Sequence, residues 1–412
     1  MASALPPVAP TGGHLEASVA DVGQRLSTAL TAALDEIPDA RQGPQALAKS
    51  LGLDKVLASR VLKAIRMRDP IAVAFHLPGP DPLRRLLRAA GRRGASADVV
   101  AAASDAVDRF EHLIQVEAGD RSSLDAMICA WLPEARRDFE LRRKQAVFKA
   151  MSQLKGLMAE TILSTVMLRP GSDGVTIDIV WVMGLLGFQR LRPNVPAKLA
   201  TRRMAAAEDP RVPRNLEGRP ILHLDDARLD EFCDGPPAQL TAVSQANESV
   251  HYHLAGSDFG PNSGVDLVLV EVNEREMQRY VPRDSDRKGH VFAEVSAPTK
   301  SLLFDVLVHE DIYPGREPQL LIYDTTLEGV ADINDRSRDG DRLEMAETIQ
   351  SLGRGAGVAR DARAPMYVDL LRHVFDRTGS DDRQFRVYRC SIAYPLYGSQ
   401  VAMAFDVPPP PA

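Results

Sequence analysis

The sequence has little of what marks a secreted or membrane protein. Its three cysteines, Cys129, Cys233 and Cys390, lie far apart and form no CxxC pair, which excludes a disulfide framework and fits a reducing compartment. The first residues lack a basic segment followed by an apolar one, so we expect no secretory signal. The longest apolar run, 179–188, is about half the length that spans a bilayer. These absences predict a cytoplasmic protein without a membrane segment.

Motifs for catalysis are missing as well. The sequence contains no nucleophile elbow, no phosphate-binding loop and no HExxH motif. We therefore predict that the protein is not an enzyme and uses no cofactor. Aromatic residues make up only 5% of the chain, but the apolar 44% and the charged 26% are ordinary for a soluble globular protein. A length of 412 residues predicts at least two domains.

One set of side chains is a weak candidate for a metal site. His251 and His253 flank Tyr252, which places both imidazoles on one face of a strand, and Asp258 follows shortly after. The set loosely resembles the HxH-then-acid ligands of metal-binding β-barrels. Two exposed strand histidines give the same pattern. A metal-binding or enzymatic C-terminal domain therefore stays a lesser alternative.

Positive charge is concentrated in one part of a chain whose formal net charge is -6. Between residues 41 and 93, twelve basic residues stand against three acidic ones, a local charge of +9, and the other residues carry -15. The basic residues are Arg41, Lys49, Lys55, Arg60, Lys63, Arg66, Arg68, Arg84, Arg85, Arg88, Arg92 and Arg93. A basic module joined to an acidic body is typical of a domain that binds a polyanion attached to one that does not.

Apolar periodicity predicts helices through most of the first 170 residues and strands after them. The predicted helices cover 18–37, 44–67, 82–90, 95–116, 123–131 and 133–168, with an extended stretch from 68 to 80. Strands are predicted at 175–183, 265–272, 290–295, 302–308, 319–323 and 387–394, the fourth and fifth as a hairpin, and further helices at 343–352 and 366–377. The fold class is multi-domain, an all-α half followed by an antiparallel α+β domain.

The segment 44–63 has the residue pattern of a helix-turn-helix. The required spacing is met by apolar residues that hold the two helices together, a small residue at their contact, a glycine in the turn and a cap for the second helix. These positions are Leu47, Ala48, Leu51, Gly52, Leu53, Asp54, Ala58 and Val61. The segment, about 20 of 412 residues, resembles the helix-turn-helix of bacterial and phage repressors.

The resemblance implies a domain whose second helix, 55–66, enters the major groove of double-stranded DNA. Its contact residues by position are Lys55, Val56, Ser59, Arg60, Lys63 and Arg66. Arg60 would bond a guanine bidentately and Ser59 would reach a base or phosphate, while the two lysines would contact phosphates. A DNA-binding transcriptional regulator is implied, with a C-terminal body that senses a ligand or recruits a protein partner.

Two residues depart from the repressor pattern. Val56 and Leu57 are apolar where repressors more often have polar residues near the start of this helix. One of them is placed to contact a thymine methyl group, but either is equally suited to pack against a neighbouring segment. An ordinary helical hairpin with Leu-Gly at its corner also fits. The alternative function is therefore a structural or assembly protein whose N-terminal helices contact another protein.

The long predicted helix 133–168 carries an apolar stripe of residues three to four apart. Its members are Val147, Met151, Leu154, Met158 and Ile162. Packing within the chain explains this stripe, and so does a homodimer, the form in which helix-turn-helix proteins usually bind paired half-sites. The predicted domains are a disordered N-terminus (1–17), a basic helix-turn-helix domain (18–93), a helical dimerisation region (94–170), an α+β domain (171–405) and a proline tail (406–412).

Overall fold

The chain is described here from a computed structural model covering residues 12–37, 43–203, 212–235, 239–244, 249–256, 258–260 and 262–411. It divides into two compact units, Met1–Glu140 and Leu141–Ala412. The first is helical and the second contains mixed β-sheets with few helices, which confirms the predicted order of an all-α half followed by an α+β part. Within the residues described, no helix is both long and apolar enough to cross a membrane.

Among the residues described, eight α-helices lie in the first part of the chain. They are α1 (Gly12–Asp35), α2 (Pro44–Leu51), α3 (Lys55–Ile65), α4 (Pro70–His76), α5 (Pro80–Arg92), α6 (Ala97–His112), α7 (Arg121–Ile128) and α8 (Pro133–Lys155), which continues into the second unit. Leu26 and Leu30 of α1 are fully buried, with Phe75 of α4 and Phe110 of α6 in the same core. The helical spacing of these apolar residues is what gives the unit one shared interior.

Helix α4 was not expected, because the stretch 68–80 was predicted to be extended. The Asp69 side chain accepts a hydrogen bond from the Ile71 N–H at 2.9 Å, and Pro70 occupies the first helical position. Both residues are suited to a helix start, since proline needs no amide partner there. The prediction of an extended stretch is therefore wrong, and Asp69-Pro70 was the signal against it.

The described residues of the second unit form three sheets. Its strands are β1 (Leu157–Pro170), β2 (Thr176–Arg190), β3 (Ala197–Arg203), β4 (Gln239–Ser244), β5 (Ser249–Ala255), β6 (Val265–Gln278), β7 (Lys288–Glu294), β8 (Thr299–His309), β9 (Gln319–Asp324), β10 (Ile349–Arg354), β11 (Phe385–Ala393) and β12 (Ser399–Asp406), with helix α9 at Tyr367–Thr378. The strand orders are β10-β11-β8-β1-β2-β6, β7-β12-β9 and β3-β5-β4. All pairings are antiparallel except β1 with β8, which run parallel with Val166 opposite Val306.

The six-stranded sheet is covered on both faces. Alternate residues of β1 point to opposite sides, as the period of a strand requires. Leu163 and Met167 belong to the core that contains α9, whereas Ile162 and Val166 belong to the core that contains residues of β7, β9 and β12. Burial on both faces explains why β1 and β8 read as nearly continuous apolar runs.

The helix predicted at 133–168 is shorter than expected. Helix α8 ends at Lys155, and Gly156 then adopts a left-handed conformation with φ 71° before β1 begins. Glycine takes this conformation at little cost, so it commonly ends helices. The β-branched residues that follow, among them Thr161 and Val166, favour a strand. The prediction is wrong beyond Lys155, and the stripe's Met158 and Ile162 lie in the sheet.

Two other predictions in the second unit are wrong. The residues predicted as a helix at 343–352 contain no α-helix, because Ile349–Arg354 pairs with β11 at the edge of the sheet. The predicted hairpin is not formed either, since β8 belongs to the six-stranded sheet and β9 pairs with β12 in another sheet. In both places long-range pairing decides the structure over local preference.

Candidate nucleic-acid interface

The turn between α2 and α3 has the geometry that a helix-turn-helix requires. Gly52 follows the last residue of α2 with φ 65° and ψ 39°, and the Leu53 N–H donates to the Ala48 carbonyl at 2.9 Å. A side chain at this left-handed position would be strained, so glycine is the residue that permits the sharp change of direction. Only Gly52, Leu53 and Asp54 separate the two helices.

Asp54 caps the second helix. Its Oδ1 accepts hydrogen bonds from the Val56 N–H at 2.6 Å and from the Leu57 N–H at 3.4 Å. These amides have no partner within the helix, and a carboxylate at a helix N-terminus also interacts favourably with the helix dipole. The cap fixes where α3 begins and therefore which side chains occupy its first turn.

The two helices are held by apolar side chains at the predicted positions. The buried members are Leu47, Ala48 and Leu51 on α2 and Ala58, Val61, Leu62 and Ala64 on α3. Leu53 and Leu57 are partly buried and pack against the same core. Leu57 thus points toward the core, whereas its neighbour Val56 is exposed.

The outer face of α3 carries every side chain that the resemblance assigned to DNA. Lys55, Val56, Ser59, Arg60, Lys63 and Arg66 are all exposed. Spacings of three, four and seven residues connect these positions, so they lie on one side of the helix, with Arg66 directly after its last residue. Val56 is 73% exposed in the first turn. The helix therefore presents a basic surface with one apolar side chain near its N-terminal end.

Arg60 is held by the protein itself. Its Nε donates to the His76 carbonyl at 2.9 Å, and its Nη2 donates to the Leu77 carbonyl at 3.2 Å. These carbonyls belong to the C-terminal end of α4, where a cation interacts favourably with the helix dipole. Arg60 thus ties α3 to α4, whereas the resemblance to repressors implies that it contacts a guanine.

Most of the other basic side chains in this region point into solvent. Arg84 is the exception, because it pairs with Glu111 and Asp108 of α6. Its hydrogen bonds to those carboxylates raise the pKa of Arg84, and the bond from Arg84 lowers the pKa of Glu111. Among the residues described, no carboxylate pairs with the exposed Lys49, Lys55, Lys63, Arg66, Arg68, Arg85, Arg88, Arg92 or Arg93. The local positive charge is therefore largely available to a partner.

The weak metal-site candidate falls partly outside the described residues. His251 and His253 both lie on β5, and Asp258 is exposed in the loop that follows. The side chain of His251 lies outside the described residues. Within the residues that are described, no group of three or more His, Cys, Asp or Glu side chains is arranged to hold a metal ion.

A buried polar cluster in the second unit was missed by the sequence reasoning. It consists of Thr165, Asp305, Tyr367 and Arg389, which we call the Asp305 cluster. Thr165 and Arg389 are the register partners of Asp305 on either side of β8, and Tyr367 is the first residue of α9. An aspartate inside the apolar strand 302–308 was the signal that could have found it.

The Asp305 cluster is closed by hydrogen bonds. Arg389 donates from Nε to Oδ1 of Asp305 at 2.8 Å and from Nη2 to Oδ2 at 2.7 Å, and the Tyr367 hydroxyl donates to Oδ2 at 2.9 Å. Burial lowers the pKa of Arg389, but its hydrogen bonds to Asp305 together with its charge interactions with Asp305, Tyr367 and Asp361 give a net rise. A buried, bidentate ion pair in which both carboxylate oxygens accept hydrogen bonds is suited to fixing strands rather than to chemistry.

No family model, no curated protein and no solved structure matches the chain.

Proposed function

We propose that the protein binds double-stranded DNA through α3, as a transcriptional regulator whose C-terminal unit senses a ligand or recruits a partner. The observation that carries this proposal is the exposed face of α3 behind a capped, glycine-containing turn. Lys55 and Lys63 flank an exposed Ser59 and Val56 on that face, a combination suited to phosphates and base edges in a major groove. The nine solvent-facing cations of the region supply the sequence-independent attraction.

Helix α5 supports the same proposal. Arg85, Arg88 and Arg92 lie on its exposed side, and the opposite side buries Leu83 and Leu86 in the core of the helical unit. Three arginines on one helix face, without a described carboxylate partner, repel one another weakly, and a bound anion relieves this repulsion. A DNA backbone is such an anion, and these arginines would add phosphate contacts beyond those of α3.

Salt-dependent binding tests the proposal. We expect the full chain to bind a fluorescein-labelled pool of 30-bp duplexes, with an affinity that falls as salt rises. Lys55→Gln and Lys63→Gln should each weaken binding to all sequences and lower the slope of log K against log[salt] by about 1, because each removes one phosphate contact. Fluorescence anisotropy measures both quantities.

Arg137→Gln is the matched control, because Arg137 is an exposed cation on α8 outside the basic region. It should leave affinity and slope unchanged. Absence of binding at low salt, or equal effects of all three substitutions, would rule out α3 as the DNA-contacting helix.

We further propose that the regulator is a homodimer through α8. The shortened stripe leaves Val147 40% exposed and Leu154 73% exposed on this helix. The two residues are seven apart, so they lie on one helix face. An apolar face of this kind is typical of a helix that packs against a second copy, and paired half-sites in DNA call for a dimer.

The exposure of Val56 favours a second candidate function, in which α3 contacts another protein and the chain serves in assembly. Val56→Glu distinguishes the two. If α3 is an assembly surface, the substitution should change the oligomeric state measured by sedimentation. If α3 binds DNA, it should weaken duplex binding and leave the oligomeric state unchanged.

A further inference from the structure

Val56 is the most exposed large apolar side chain of the described helical unit, at 73%, followed by Val116 at 67%. It lies in the first turn of α3, where the Asp54 carboxylate accepts a hydrogen bond from the Val56 N–H. A β-branched residue gains nothing for the helix at a solvent-facing position, since its side chain is restricted there and no core receives it. The Val56 side chain is therefore available for a contact outside the chain.

The surroundings of Val56 indicate the nature of that contact. Lys55, Ser59 and Lys63, at spacings of one, three and seven residues, are exposed around it. A partner must therefore offer negative charge on both sides of a small apolar group. The major groove of DNA has this arrangement where a thymine presents its C5-methyl group between two phosphate backbones.

We propose that Val56 contacts the C5-methyl group of a thymine and makes α3 selective for that base at one position of its site. The inference rests on the proposed DNA-binding function and adds a specificity-determining residue to it. Arg60 is held by the carbonyls of α4, so the first turn of α3, rather than its middle, supplies the base discrimination.

Replacing thymine by uracil tests the contact, because uracil pairs identically and lacks only the methyl group. Duplexes are first selected from a random 30-bp library on the full-length protein. Each thymine of an enriched duplex is then replaced by deoxyuridine in turn, and binding is measured by anisotropy. We expect one replacement to weaken wild-type binding about fourfold, the effect of returning one buried methyl group to water.

Val56→Ala should bind the thymine and uracil duplexes equally, at about the weakened wild-type affinity, because it already lacks the contact. Val116→Ala is the matched control. It removes the same atoms from an exposed valine of the same unit and should keep the wild-type preference for thymine. Thermal unfolding of all three proteins by circular dichroism checks that they fold alike.

The outcomes separate this inference from the function it rests on. If duplexes bind but Val56→Ala retains the full preference for thymine, or the selection enriches no sequence, Val56 is not a thymine contact and DNA binding stands. If no duplex binds at any salt concentration, both the proposed function and this inference are wrong.

Discussion

Arg60, which was predicted to contact DNA, makes hydrogen bonds within the protein. Its two hydrogen bonds reach carbonyls at the end of α4, a helix that the sequence reasoning did not foresee. The helical periodicity of 55–66 correctly predicted that Arg60 is exposed. Its hydrogen-bond partners, however, lie at the end of another helix, more than ten residues away along the chain. A contact of this kind follows from tertiary packing and is not visible in the spacing of a motif.

Arg60→Ala should therefore lower the stability of the helical unit by about 1–2 kcal/mol, because hydrogen bonds from a charged donor are lost. Urea unfolding followed through Trp131, in a Trp181→Phe background, measures this unit because the chain has only two tryptophans. Lys63→Ala, at an exposed position without a described partner, should change stability by less than about 0.5 kcal/mol. If Arg60→Ala keeps full stability but loses sequence selectivity, Arg60 contacts a base as first predicted.

At the scale of elements, helices were predicted better than sheet pairings. The apolar spacing and caps of α2 and α3 are local, so residues 44–65 were foreseen almost completely. The end of α8 at Gly156, the strand at 349–354 and the separation of β8 from β9 depend on partners far along the chain. The Asp305 cluster was missed for the same reason, since its members come from β1, β8, α9 and β11.

Removing one member of the Asp305 cluster should destabilise the second unit strongly. Asp305→Asn removes the fully buried carboxylate of this ion pair and leaves the Arg389 guanidinium with Asp361 as its remaining carboxylate partner, so we expect a loss of about 3 kcal/mol. Thr165→Val removes only a hydroxyl from Tyr367, which still donates to Asp305 at 2.9 Å, so its cost should be about 1 kcal/mol.

Unfolding followed through Trp181, in a Trp131→Phe background, measures both losses. Equal and small effects of the two substitutions would show that the ion pair does not hold the sheet together.

At the scale of the whole molecule, the proposed dimer predicts how one substitution on α8 changes association. Leu154→Glu should raise the dimer dissociation constant at least tenfold, because a leucine buried by association contributes about 1.5–3 kcal/mol. Sedimentation velocity over a range of protein concentrations measures this constant. Leu327→Glu, at a position 92% exposed, introduces the same charge elsewhere in the second unit and should have no effect. A wild-type chain that stays monomeric at high concentration contradicts the dimer proposal.

The position of β8 also sets the order in which the chain can fold as it is synthesised. Helices α1 to α7 contact neighbours within the first 140 residues and share a core of their own. Strand β8 lies between β1 and β11, so Asp305 has no countercharge until Arg389 has left the ribosome. The helical unit can therefore form before the second unit is complete, while β8 stays unpaired on one side until β11 is synthesised.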